Sequence, residues 1–242
     1  MFASMFVATA AAAASCTATS PAHTVALVEL YTSQGCSSCP PADRWLSHLQ
    51  ASDRVIPIAL HVSYWDYIGW KDPFARREFN ERQSQLARTN KNRTVYTPGV
   101  FVQGRETPRW SDGRGFETTV KSLNATPARA QIEVSSALEG RVLKVNAKAT
   151  GADAAGSQLF IALTQGGFST QVKAGENRGE LLRNDHVVRE WSGPLPPAGG
   201  AATWTVADGV DIDRLRLVAF VQDRATGLPI QAMSAPVKRC EK

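Results

Sequence analysis

Read for its apolar and polar positions, the chain changes period about half-way along. In the first half, short β-branched apolar runs alternate with stretches whose apolar residues recur three and four apart. "TVALVELY", residues 24–31, fits a buried strand. "PPADRWLSHLQ" follows as a helix, with its prolines in the first turn and Trp45, Leu46 and Leu49 forming one stripe. A second buried strand is expected over residues 55–62. Strand, helix and strand in that order normally close right-handed with the strands parallel. "DPFARREFNERQSQLARTN" reads as a helix with Phe74, Phe79 and Leu86 on one side. "TVYTPGVFVQGRE" reads as a strand broken by a proline, and "GRGFETTVKSLN" as a short helix.

From about Ala128 the pattern becomes alternating strands separated by turn signals, with no helical period. "AQIEVSS", "RVLKVNAKA", "QLFIALTQ", "HVVREW", "AATWTV", "RLRLVAFVQ" and "PIQAMSA" are such strands, punctuated by "LEGR", "GADAAG", "PLPPAGG" and "RATGLP". Even spacing of this kind suggests an antiparallel sandwich. The expected organisation is therefore an α/β domain with a helical insertion over residues 23–126. An all-β sandwich of the immunoglobulin or fibronectin sort follows over residues 127–242, and residues 1–22 stand apart.

That leading segment, "MFASMFVATAAAAASCTATSPAHT", is an apolar, alanine-rich run followed by small residues, the make-up of a secretory signal. No Lys or Arg precedes Arg44, so the usual positive start is missing. The run is too short to span a bilayer. The chain is expected to be exported, periplasmic or secreted, with a disordered tail as the alternative reading of its start. Its 242 residues are 43% hydrophobic and 20% charged, with a formal net charge of +5. No basic cluster is interleaved with stacking aromatics, so nucleic acid is not an expected partner.

Four cysteines are present. Cys36 and Cys39 form one pair by spacing, leaving Cys16 and Cys240 near opposite ends. In an oxidising compartment these two can join and tie down both termini. Lipidation of Cys16 at a poor "AASC" box is a rival reading.

"GCSSCPP" places a Cys-x-x-Cys where a strand gives way to a helix. The unpaired N–H groups and positive dipole end of a first helical turn favour a sulfur anion. They can lower a thiol from about 8.5 into the range of roughly 3.5 to 7.5. Cys36 is then the expected nucleophile and Cys39 the resolving thiol in exchange with protein or peptide cysteines. No diffusible cofactor is required, since the dithiol stores the electrons. Zinc lacks ligands, because no second cysteine pair exists and the histidines are scattered. A Cu(I) site on Cys36, Cys39 and His61, a redox sensor without turnover, and a merely structural disulfide are the alternatives. A further one is an interaction protein whose β half is the working part. His61, Tyr64, Trp65 and Asp66 can line a groove beside the dithiol, with His61 moving protons. Their other reading is packing against the sheet.

"ELYTSQGCSSCPP", "HVSYWDYIGWKDPF", "VYTPGVFVQG" and "AGENRGELLRNDHVVREW" together resemble a secreted, thioredoxin-like family catalogued as domain of unknown function 1223. The resemblance implies a thioredoxin-like α/β fold and a redox-active Cys36–Cys39 disulfide whose partners are thiols or disulfides. It also implies that Pro98 is a cis-proline facing the dithiol and that the Thr97 backbone pairs with an extended substrate segment. Glu29 is the one candidate for a buried proton acceptor in the strand leading to the motif, one residue further from Cys36 than the usual spacing.

Overall fold

The computed structural model describes residues 15–151, 153–238 and residue 240. The alanine-rich core of the expected signal lies outside them. The first part of the chain runs β1 (Cys16–Thr19), β2 (Ala26–Thr32), α1 (Pro40–Ser47), β3 (Val55–His61) and α2 (Arg77–Thr89). It continues through β4 (Gly99–Val102), β5 (Arg105–Glu106) and α3 (Gly113–Asn124). The second part is all strand: β6 (Gln131–Glu139), β7 (Val142–Thr150), β8 (Ser157–Gln165), β9 (Phe168–Gln171) and β10 (Leu181–Asn184). It ends with β11 (Val187–Leu195), β12 (Gly200–Thr205), β13 (Leu215–Asp223) and β14 (Pro229–Pro236).

These strands do not sort into an α/β sheet and a separate sandwich. Eight of them form one mixed sheet in the order β14-β13-β8-β11-β3-β2-β4-β5. The seam is the parallel pairing of β11 with β3, where Val187 lies opposite Ala59 and the Ala59 N–H donates to the His186 carbonyl. A four-stranded sheet, β1-β6-β7-β12, packs on one end of it, and β9 and β10 form a detached two-stranded ribbon. Among the described residues strand accounts for 42% and helix for 17%. The expected class, a thioredoxin-like α/β domain followed by a self-contained sandwich, is thus corrected: the protein is mostly β, and one large sheet draws strands from both parts.

The reason is visible in which faces are apolar. β7 alternates, with Leu143, Val145, Ala147 and Ala149 buried and the residues between them exposed, as one face on a core and one in water require. β8 and β13 are buried on both faces, and a strand apolar throughout has to be covered twice. On one face Leu159, Ile161, Leu163, Leu217 and Ala219 meet the four-stranded sheet. On the other, Phe160, Ala162, Val218 and Phe220 join Leu27, Tyr31, Ile58 and Leu60 around α2, which contributes Phe79 and Leu86. The sheet curls about that helix far enough for Gln231 of β14 to accept from the Val25 N–H and donate to the Pro21 and His23 carbonyls.

Helices α1 and α3 cover the opposite face of β2, β3 and β4 through Ala42, Leu46, Phe116 and Val120. β2 and β3 pair in parallel from Ala26–Val55 to Thr32–His61, so both strands end side by side. The crevice beyond the carboxyl ends of adjacent parallel strands is where such sheets place their sites. Among the described residues, no helix is long and apolar enough to cross a membrane.

Candidate dithiol site

The loop leaving β2 turns tightly before α1 begins. The Gly35 N–H donates to Ser33 Oγ and the Cys36 N–H to the Ser33 carbonyl. A side chain at position 35 would sit 3.2 Å from the Trp65 Cβ, so a larger residue would push Trp65 back by a few tenths of an ångström. Cys36 and Cys39 are joined as a disulfide with Cα atoms 5.5 Å apart, within the usual range. Cys39 is the residue immediately before the first helical turn, and Cys36 lies three residues earlier.

This arrangement changes the expected chemistry of the sulfur anion. The first two helical positions are Pro40 and Pro41, which have no N–H. The next two donors, Ala42 N–H and Asp43 N–H, both bond to the Cys39 carbonyl at 2.9 and 3.1 Å. Direct amide bonds from the helix to a Cys36 thiolate are therefore spent, and only the dipole of the helix end remains. Cys36 Sγ lies within hydrogen-bond distance of Ser38 Oγ, at 3.4 Å.

Under the loop lies a buried polar cluster. Asp43, one turn into α1, accepts from Thr32 Oγ1 at 3.1 Å. His61, at the end of β3, holds Asp72 through Nδ1 at 2.7 Å, while its Nε2 is buried with no partner. Asp72 also accepts from the backbone N–H groups of Gln34 and Phe74, at 2.7 and 2.9 Å. Burial pushes the Asp43 carboxyl up to about 6, opposed by the nearby His61 and the Thr32 hydroxyl. Burial alone would depress His61, yet the adjoining Asp72 charge and hydrogen bond lift it above its ordinary value. Asp72 is the mirror case: burial would raise it, and His61 with the two backbone donors holds it below the usual carboxylate range.

Two further segments meet the motif. The Thr97–Pro98 peptide is cis, and the Thr97 carbonyl accepts from Ser38 Oγ at 3.5 Å, which puts this loop beside the disulfide. Thr97 Oγ1 in turn accepts from Trp65 Nε1 at 2.7 Å. The second segment comes from the β-rich part. Asn177, in the connection between β9 and β10, donates from Nδ2 to the carbonyls of both Gln34 and Cys36 at 2.9 Å. Glu176 accepts from the Ser37 N–H at 3.0 Å and from Ser37 Oγ at 2.7 Å. Gln34 is saturated: Asn184, Trp70, Asp72 and Asn177 take its side chain and backbone.

Of the residues singled out from sequence, His61, Trp65, Thr97 and Pro98 come to the motif. Tyr64 bonds to Gln83 Oε1 and packs with Trp65 against the sheet core. Asp66 accepts from the Asp72 N–H and so props the loop carrying Asp72. Glu29 does not reach the dithiol. It points to the other face of β2, where Arg82 Nε and Nη2 hold its two oxygens at 2.6 and 3.0 Å and Tyr31 donates to it. The offset in the strand had the physical consequence that such offsets have, since one residue switches the face. Cys16 pairs with Cys240 across a sequence separation of 224, tying β1 to the chain's far end.

Sequence reasoning passed over Asp43, Asp72, Glu176 and Asn177. Asp43 follows Cys39 by four residues, a spacing that puts it one helical turn below, and was legible. The others come from loops without period. Among the described residues no group of three or more His, Cys, Asp or Glu side chains is arranged to hold a metal ion.

A family model described as a protein of unknown function, DUF1223, matches residues 27–222. The chain belongs to the DUF1223 family. The match takes in the motif, the His61–Asp72 loop and the β9–β10 ribbon, so the DUF1223 region contains every element of the site just described. A search among curated proteins finds no match. Among solved structures, this DUF1223 chain is similar to a protein of Agrobacterium tumefaciens studied as a structural-genomics target. The two are 26% identical over 90% of this chain and 97% of that one, with a TM-score of 0.63. A domain of the outer membrane lipoprotein Omp28 from Porphyromonas gingivalis aligns at 16% identity over 46% of this chain and 88% of that one. Its TM-score of 0.29 is too low to carry an argument.

Proposed function

We propose that the Cys36–Cys39 pair exchanges with thiols and disulfides of proteins or peptides, which would make this an exported disulfide oxidoreductase. One observation carries the reading. One turn after Cys39 lies a buried acid, Asp43, near a buried imidazole, His61, whose Nε2 has no partner. Perturbed titratable groups beside a reactive pair are what a proton-coupled exchange requires. The reading rests on these residues and not on fold analogy.

In the oxidising direction a substrate thiolate attacks Cys36 Sγ. The Cys36–Cys39 bond breaks, and Cys39 leaves as a thiolate that takes a proton, with Asp43 as the nearby acid one turn away. A second substrate thiolate then attacks the substrate sulfur of the mixed disulfide and displaces Cys36. Two electrons pass to the protein, and a partner disulfide is needed to remove them. In the reducing direction every step reverses. Two disulfides in one chain fit an oxidising compartment, which supports export.

The test is turnover of a protein disulfide under a thiol reductant. Cys36→Ser is expected to abolish it, and Cys39→Ser to accumulate a mixed disulfide visible by intact mass. Full turnover by Cys36→Ser would dispose of the mechanism.

A further inference from the structure

Both cysteines of the motif are fully buried, at 0% exposure, whereas Ser37 and Ser38 between them are exposed. A thiolate cannot reach a sulfur in that state, since exchange requires attack on the disulfide sulfur itself. Residues 175–178 of the connection between β9 and β10 bond to the motif at Gln34, Cys36 and Ser37. They lie across the motif as a strap.

The strap is held by two unlike contacts. Asn177 is buried and pins the loop from inside through the carbonyls of Gln34 and Cys36. Glu176 is exposed, and its carboxylate takes both the N–H and the hydroxyl of Ser37. An exposed contact of this kind exchanges readily with any competing acceptor, because water and solutes reach it. On its outer side the strap rests on the loop after β3. Gly175, at φ +74°, lies where a Cβ would be 3.3 Å from both Ile68 and Trp70. The ribbon that carries the strap belongs to neither large sheet. It can therefore shift without breaking a ladder of the core, as elements at the low-stability end of a fold do.

We propose that the 175–178 strap controls access to the disulfide, and that the substrate is an extended polypeptide that displaces it by offering its own oxygen acceptor to Ser37. The inference rests on the exchange reading of Cys36–Cys39. Glu176 thus stands where a carbonyl or carboxylate oxygen of the substrate chain will bind, and leaving its place uncovers Cys36. Glu176 and Asn177 are positioning residues in this scheme. Neither hydrogen-bonds to a sulfur.

The experiment measures how fast dithiothreitol opens Cys36–Cys39 in the full chain, by timed alkylation and intact mass, with Cys16–Cys240 as internal reference. Glu176→Ala is expected to speed the opening about tenfold, by removing two charge-assisted bonds. Asn177→Ala is expected to speed it as much or more, and the rate for Cys16–Cys240 is expected not to move in either. Glu176→Ala is expected to lower the melting temperature by no more than about 2–4 °C, which separates uncovering from general loosening. Rates within twofold of wild type in both variants would overturn the proposal. So would a speed-up that appears equally at Cys16–Cys240. Variants that open faster while no form of the protein turns over a protein disulfide would leave the strap as the disulfide's cover and refute the exchange reading.

Discussion

The two faces of β2 and β3 carry two buried charged clusters, and they are built on opposite principles. On the α2 face, Glu29 and Arg82 form a bidentate pair, and Tyr31 and Gln222 take the remaining valences. The guanidinium also lies over the Phe220 ring, 4.8 Å from its centre. Everything there is satisfied, and the cluster closes the hollow of the curled sheet. On the α1 face, Asp43, His61 and Asp72 are as deeply buried, yet His61 Nε2 has no partner and the Asp43 carboxyl is pushed up to about 6. Burial and charge do not distinguish the two. The unpartnered His61 Nε2 does, and under the proposed exchange reading the second cluster is the one that serves the dithiol.

The contrast can be broken most forcefully at Glu29. Glu29→Ala strands the Arg82 charge in the core and is expected to cost roughly 3–5 kcal/mol in denaturant unfolding, while opening of Cys36–Cys39 by dithiothreitol stays unchanged. The double variant Glu29→Leu with Arg82→Leu is expected to recover most of that loss. A double variant as unstable as the single one would show that the cluster does more than hold the hollow closed.

At Asp43 the sign is reversed. Its folded-state pKa, about 6, lies above the ordinary 3.8, so the folded protein binds this proton more tightly than the unfolded chain does. Stability tied to it is present below about pH 4 and falls as pH rises through 6. Asp43→Asn is therefore expected to stabilise the protein at pH 7, by at most about 3 kcal/mol, and to do nothing at pH 3.5. Thermal melts across that range check it, and a variant less stable at pH 7 than at pH 3.5 relative to wild type would contradict the assignment.

The smallest effect is at His61. A raised folded pKa contributes stability that is complete below the ordinary 6.5 and disappears as pH rises through the folded value. His61→Gln is expected to lose about 1–2 kcal/mol near pH 5.5 and less in alkali. A loss that grows with pH would mean that His61 is neutral in the fold.

Much of the local structure could be read from the sequence, and the long-range assembly could not. The helix at residues 113–124 and the parallel β2–β3 pair follow from period and punctuation. What escaped was the seam. "QLFIALTQ" and "RLRLVAFVQ" are apolar on both faces, unlike the alternating "RVLKVNAKA", and that difference is the sequence's statement that β8 and β13 are covered twice. A sandwich strand needs cover on one face only. The site shows the same division. The motif and Thr97–Pro98 lie in runs with recognisable signals, whereas Glu176 and Asn177 reach the motif from more than 130 residues away through a turn without period. Only the fold brings them there.

The central claim is that Cys36–Cys39 is a working couple and Cys16–Cys240 a fixture. The most direct measurement equilibrates the folded protein with graded dithiothreitol redox buffers, alkylates, and counts the open cysteines of each pair by mass. Cys36–Cys39 is expected to open at a potential well above the roughly −300 mV below which structural disulfides resist reduction, with Cys16–Cys240 still closed. If the two pairs open together, or if Cys36–Cys39 opens only when the protein unfolds, the motif is a staple and the account is wrong.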